Sequence, residues 1–181
     1  KGYKSDEILV KMPVWAPGSY LVREFSKNMN LVTAFDQNGN ALEVVKKSKN
    51  GWVIKRGKAT EVKVSYDVYA FELTVRTSFL DMTHGFVSGT GVFMYTEETR
   101  NKSGNLTVIP HESFKKVTTA LPKTGAGIVS DSRAINYTFS DYDYLVDCPI
   151  EIGNHEEFTF TAAGIPHTVA MYGWGNYDIP T

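Results

Sequence analysis

Cysteine is nearly absent: Cys148 is the only one in 181 residues. An intrachain disulfide and a cysteine-based zinc cluster are both excluded. An excess of one charge is also missing. Nineteen Lys+Arg against 20 Asp+Glu leave a formal net charge of −1, so the basic footprint of a nucleic-acid or membrane-surface binder is not there. No apolar run approaches the roughly 20 residues that span a bilayer as a helix. The 3.6-residue periodicity of amphipathic helices is rare along the chain, and we find no repeat, low-complexity tract or linker. Lys1-Gly2-Tyr3-Lys4 is not followed by the apolar stretch of a secretory leader, so no signal peptide is expected within this sequence.

What is present is a series of short β-branched and aromatic runs separated by turn residues. Ile8–Met12 is stopped by Pro13, and Leu42–Val45 follows the turn 36–40. In 61–69, Val62, Val64, Tyr66 and Val68 alternate with Glu61, Lys63, Ser65 and Asp67. That alternation predicts a half-buried antiparallel strand. The turn 55–58 predicts a hairpin between this strand and the run at Trp52–Lys55. Further strands are predicted at 92–95, 106–109, 135–139, 158–162 and 167–172, the last two around a Gly164-Ile165-Pro166 turn. Only Asp81–His84 and Ser140–Val146 suit a turn or two of helix, the latter capped by Ser140 or Asp141. The pattern predicts an all-β fold, an antiparallel β-sandwich with one or two short helical turns.

Motifs for chemistry mostly fail. His111-Glu112 is followed at i+4 by Lys115, and His155-Glu156 by Thr159, so neither makes the His-Glu-x-x-His zinc helix. His111, after Pro110, is expected to make a loop hydrogen bond. Gly85-Phe86-Val87-Ser88-Gly89 is not a nucleophile elbow, because its Ser stands one place late. Gly85, Gly89 and Gly91 read as a glycine-rich turn rather than a phosphate loop. Cys148 reads as a small buried residue whose flanking Asp143, Asp147 and Glu151 raise its pKa. The acidic stretch Asp141 to Glu151 has two readings. It is a solvated helical turn stopped by Pro149, or a carboxylate cluster near a cleft able to hold an ammonium group.

The longest signal is Met12-Pro13-Val14-Trp15-Ala16-Pro17-Gly18-Ser19-Tyr20-Leu21-Val22-Arg23-Glu24-Phe25. Pro17-Gly18 fits the centre of a type II turn with Gly18 at positive φ, folding Trp15 and Tyr20 together. This segment resembles the signature of the glycyl aminopeptidase family. Weaker matches follow at Trp52, Val64–Ala70, Val75–Asp81 and Gly91–Tyr95. Asp141-Tyr142-Asp143-Tyr144-Leu145-Val146-Asp147-Cys148-Pro149-Ile150-Glu151-Ile152-Gly153 resembles the family's Asp-Tyr-Asp-x-Leu-Val-Asp-Ser-Pro-x-Glu motif, with Cys148 in the Ser place. The family consists of zinc metallopeptidases with an N-terminal β domain, a thermolysin-like catalytic domain and a PDZ-like domain.

The resemblance implies a non-catalytic N-terminal β domain over 1–153, lacking its first strand or strands, and final strands over 154–181 at the junction with a catalytic domain. Its parent would release small N-terminal residues from peptides. Zinc, the peptide substrate and the downstream catalytic domain are the implied cofactor and partners of that parent. This chain itself is expected to hold no metal or catalytic residue, and to be inactive alone. Trp15, Pro17, Gly18, Ser19, Tyr20 and Arg23 form the structural motif. Neither nucleic acid nor membrane insertion is expected, and export would depend on a leader outside this sequence. In Ile150-Glu151-Ile152 an extended chain sends the isoleucines one way and Glu151 the other. Glu151 is thus the first candidate to hold a substrate ammonium, with Asp147 and Asp143 behind it. The alternatives are a self-contained enzyme and a stand-alone binding module for carbohydrate or peptide, the latter using Trp15, Trp52 and Trp174 as a stacking platform.

Overall fold

The computed structural model describes residues 5–16, 18, 19, 21–125 and 131–178. Strands β1 (Glu7–Lys11), β2 (Met29–Asp36), β3 (Ala41–Ser48), β4 (Gly51–Lys55) and β5 (Val62–Val68) form one antiparallel sheet in the order β1-β4-β3-β2-β5. The alternation in β5 does what it predicts: Val62, Val64, Tyr66 and Val68 pack against a core of Ile8, Val10, Met12, Ala34, Trp52 and Ile54. The turn before β3 is made by Asp36, whose Oδ1 accepts from the backbone N–H of Asn38 (2.8 Å) and Asn40 (2.9 Å).

The hairpin expected between the Trp52 run and β5 does not form. Both edges of β4 are taken, one by β3 through the tight turn at Lys49 and Asn50, the other by β1. The Arg56 and Gly57 N–H groups donate instead to Asp6 O at 2.9 and 3.2 Å, and the chain crosses to the far edge of the sheet, where β5 pairs with β2.

The second half builds two smaller sheets on a second core. β6 (Phe79–Leu80), β7 (His84–Val87), β8 (Gly104–Val108), β9 (Lys116–Thr119), β10 (Lys123–Thr124), β11 (Ile135–Phe139), helix α1 (Tyr142–Asp147) and β12 (Ile150–Gly153) follow in order. They pair as β6-β7-β12-β9 and β10-β11-β8. Between them lie Val117, Leu121, Tyr137, Tyr142, Leu145, Cys148 and Ile150. The last elements, β13 (Glu156–Ala162) and β14 (Ile165–Met171), form a hairpin whose turn residues Ala163 and Gly164 both have positive φ, 51° and 77°. A two-stranded hairpin is marginal alone. Its end is tied down by Tyr172, which stacks on His84 at 3.6 Å and donates its hydroxyl to Thr83 Oγ1 at 2.6 Å.

The fold is thus the all-β antiparallel sandwich that the pattern predicts. Of the two helical stretches one forms: Asp141, not Ser140, caps α1 by accepting from the Tyr144 N–H at 2.8 Å. The other, 81–84, is the turn of the β6–β7 hairpin. Asp81 Oδ1 accepts there from the N–H groups of Thr83 (2.7 Å) and His84 (3.1 Å), which competes with helix formation. The strand expected at 92–95 is reduced to one bridge, Tyr95 to Lys11, because the 3-10 turn Gly89–Gly91 feeds into it.

Candidate functional site

β12 is the central strand of its sheet, between β7 and β9. Ile150 and Ile152 point into the second core, and Ile150 is only 2% exposed. Glu151 therefore lies on the opposite face, paired across the strands with Phe86 and Thr118. Its Oε1 is buried and has no hydrogen-bond partner among the described residues. Burial pushes its carboxyl pKa up to about 7. Its cross-strand partner on β9, Thr118, is already engaged. Thr118 donates its hydroxyl to Glu157 and so accepts from His155 Nε2 at 2.6 Å, which makes Nε2 the protonated nitrogen. Burial lowers the His155 pKa. No ion pair reaches Glu151 among the described residues, and an ionised carboxylate in this setting is unfavourable until a cation or donor meets it.

The other two carboxylates are elsewhere. Asp143 and Asp147 stand four residues apart on α1, so they share a helix face. Both line a cavity of about 620 Å³ between α1 and the loop carrying Trp15. Asp143 is already met by Arg100, whose guanidinium reaches both carboxylate oxygens at 3.1 to 3.3 Å. Asp147 has no ion pair among the described residues. The structure therefore brings Asp143 and Asp147 together at one site and sets Glu151 apart from them.

The Trp15 loop is fixed at its base. Lys11 and Tyr95 exchange backbone hydrogen bonds of 2.9 Å, and Met12 donates to Asn50 O at 2.8 Å. Within the loop Ser19 N–H donates to Ala16 O at 3.0 Å around Gly18, whose φ is +75°. Arg23 closes the far side, its N–H bonding Val14 O at 2.6 Å and its Nε bonding Ser19 Oγ at 3.3 Å. The positive φ expected of Gly18 is thus present. Pro17 and Tyr20 lie outside the described residues, as does the expected contact of Tyr20 with Trp15. Nothing crowds a Cβ at Gly18, so the cost of replacing it is conformational. Gly18→Val should lose about 1–2 kcal/mol, a fall of several degrees in Tm by calorimetry; an unchanged Tm would refute the turn assignment.

Trp52 is 6% exposed and belongs to the first core, with Lys46 Nζ 3.5 Å from its ring centroid. It cannot join a stacking platform. Trp15 and Trp174 are exposed, but they line different cavities. His111 makes its loop hydrogen bond, to Ser113 Oγ at 2.9 Å. Cys148 is buried, and its thiol pKa is raised first by burial and only then by Asp147. Desolvation, rather than the acidic neighbours, is the larger cause. Among the described residues no three His, Cys, Asp or Glu side chains gather as metal ligands.

These elements describe an all-β domain that offers, among the described residues, an unpaired carboxylate on one face and an aromatic cavity beside α1. The chain belongs to the family of the peptidase M61 N-terminal domain, whose model matches residues 1–154. It is also similar to the crystal structure of an aminopeptidase N family protein from Idiomarina loihiensis, with 32% identity and a TM-score of 0.79 over 95% of this chain. The match covers 29% of that longer protein. No curated protein matches this chain.

Proposed function

We propose that this chain is the non-catalytic N-terminal β domain of a zinc-dependent, glycyl aminopeptidase-like enzyme that releases small N-terminal residues from peptides. The domain packs on a downstream catalytic domain and forms one wall of the substrate cleft, and Glu151 holds the substrate's free ammonium there. The observation that carries this reading is half-buried Glu151 on the outer face of β12, whose Oε1 is buried and unpartnered among the described residues. A desolvated carboxylate with no cation of its own is the complement of an N-terminal ammonium. Asp143 is the weaker candidate, because Arg100 already compensates it. Family membership and the aminopeptidase neighbour support the setting.

Zinc belongs, in this reading, to the catalytic domain; the described residues of this chain offer it no ligand set. The full-length protein is expected to release N-terminal Gly or Ala from peptides, to lose this activity to a chelator and to regain it with zinc. The 181-residue chain alone should hydrolyse no aminoacyl substrate and retain no stoichiometric metal after dialysis. About one tightly held zinc per chain would overturn the assignment, as would a full-length protein indifferent to chelation.

A further inference from the structure

We propose that the cavity between the Trp15 loop and α1 binds an organic ammonium, a cationic amine carried on an apolar body about the size of an aromatic ring. Its volume, about 620 Å³, is that of a small-molecule site. The walls are aromatic. Trp15 is 53% exposed at one side, and the rings of Tyr95 and Tyr142 lie 5.0 Å apart at another. The Tyr142 hydroxyl is committed to Phe93 O at 2.6 Å, so Tyr142 offers the cavity its ring. Ring faces attract cations.

The charge agrees. Arg100 compensates Asp143, which leaves Asp147 as the cavity's carboxylate without an ion pair among the described residues. Arg76 lies beyond, in an adjoining cavity of about 160 Å³ that shares Thr90, Val146 and Asp147 with the larger one, and it makes no ion pair with Asp147. Thr90 supplies an independent sign of a ligand. It is 3% exposed, stands in the wall common to both cavities, and its Oγ1 has no hydrogen-bond partner among the described residues. Buried hydroxyls are rarely left so, and an ammonium N–H would satisfy it. The two longest sequence signals, at Pro13–Trp15 and Asp143–Asp147, meet here although about 130 residues separate them, which follows from the Tyr95–Lys11 bridge and the seat of α1 beside it.

This inference goes beyond the peptidase reading and does not depend on it, since Glu151 is not part of this cavity's lining. The test is isothermal titration of the 181-residue chain at low salt with phenethylamine and with its neutral isostere 2-phenylethanol. Phenethylamine should bind saturably at one site, with the alcohol about three- to fivefold weaker or worse. Asp147→Asn should weaken the amine by a similar factor, and Trp15→Ala, a change at an exposed ring, by about tenfold. Glu43→Gln, on β3 and outside the cavity's lining, should leave its affinity unchanged. Absence of saturable binding, equal binding of amine and alcohol, or indifference to both Asp147→Asn and Trp15→Ala would overturn the proposal. Loss of binding in Glu151→Gln would move the ammonium site to β12 and overturn it as well.

Discussion

In a full-length peptidase carrying this domain, Glu151→Gln should lower kcat/KM for a free-amine substrate about tenfold to a hundredfold, and change that for the acetylated analogue far less. The range is that of a lost charge-assisted hydrogen bond in a desolvated site, roughly 1.5–3 kcal/mol. A Glu that merely made a surface ion pair would be worth under about 1 kcal/mol. The same substitution should act on stability in the opposite sense. The folded-state pKa of Glu151 is raised, from an ordinary 4.5 to about 7. Its contribution is therefore fully present below pH 4.5 and is lost as pH rises through 7. Allowing for partial solvent screening, the ionised carboxylate costs the fold about 1–2 kcal/mol above that pH. Glu151→Gln should raise Tm at pH 8 by a few degrees and leave it nearly unchanged at pH 5. Lost activity with gained stability is the signature of a residue kept for binding. A kcat/KM within about twofold of wild type for the free amine would remove Glu151 from substrate binding.

The second large effect is expected at Gly89. A Cβ there would lie 2.7 Å from Val146 Cα and 3.3 Å from both Val146 Cβ and Phe93 Cδ2. The obstacle is the backbone of α1, which cannot swing aside as a side-chain tip can. Gly89→Ala should therefore push α1 from its seat and cost about 2–3 kcal/mol, a drop of roughly 5–10 °C in Tm. Gly91, two residues on, is the control. Its nearest obstacle is Ser78 Oγ at 3.6 Å, with Phe25 Cδ1 at 3.8 Å, which is ordinary contact. Gly91→Ala should cost no more than about 1 kcal/mol. Equal effects at the two positions would show that α1 does not rest on Gly89.

The difference between what could and could not be read in the sequence follows range in the chain. β5 was legible because its burial alternates residue by residue. β2 was not: Leu31 has φ +51° and the register with β5 shifts between Asn30 and Thr33, so the period of two is broken inside the strand. The hairpin expected at 55–58 failed because the decision lay with β1 and β3, which compete for β4 from elsewhere in the chain. At the candidate site, Ile150-Glu151-Ile152 gave the direction of Glu151 correctly, since pleating is local. It could not show that the carboxylate is desolvated, because Phe86 and Thr118 reach it from strands 65 and 33 residues earlier. The acidic run read as one cluster, yet a helix followed by a strand sends Asp143 and Asp147 to one place and Glu151 to another. Arg100, which compensates Asp143, and Thr90 carry no local signal for their roles. The glycine-rich turn carries no sign of its packing role; at Gly89 an added Cβ would meet the backbone of α1.

The proposed role of Glu151 requires a desolvated carboxylate without a partner. Its most direct test is the pH titration of the Glu151 side-chain carboxyl by carbon NMR in the 181-residue chain, with Glu151→Gln to assign the resonance. A midpoint near 7 is expected, well apart from the exposed glutamates. A midpoint at or below the ordinary 4.5 would contradict it, because the carboxylate would then be solvated or already paired, and a substrate ammonium would have nothing to satisfy.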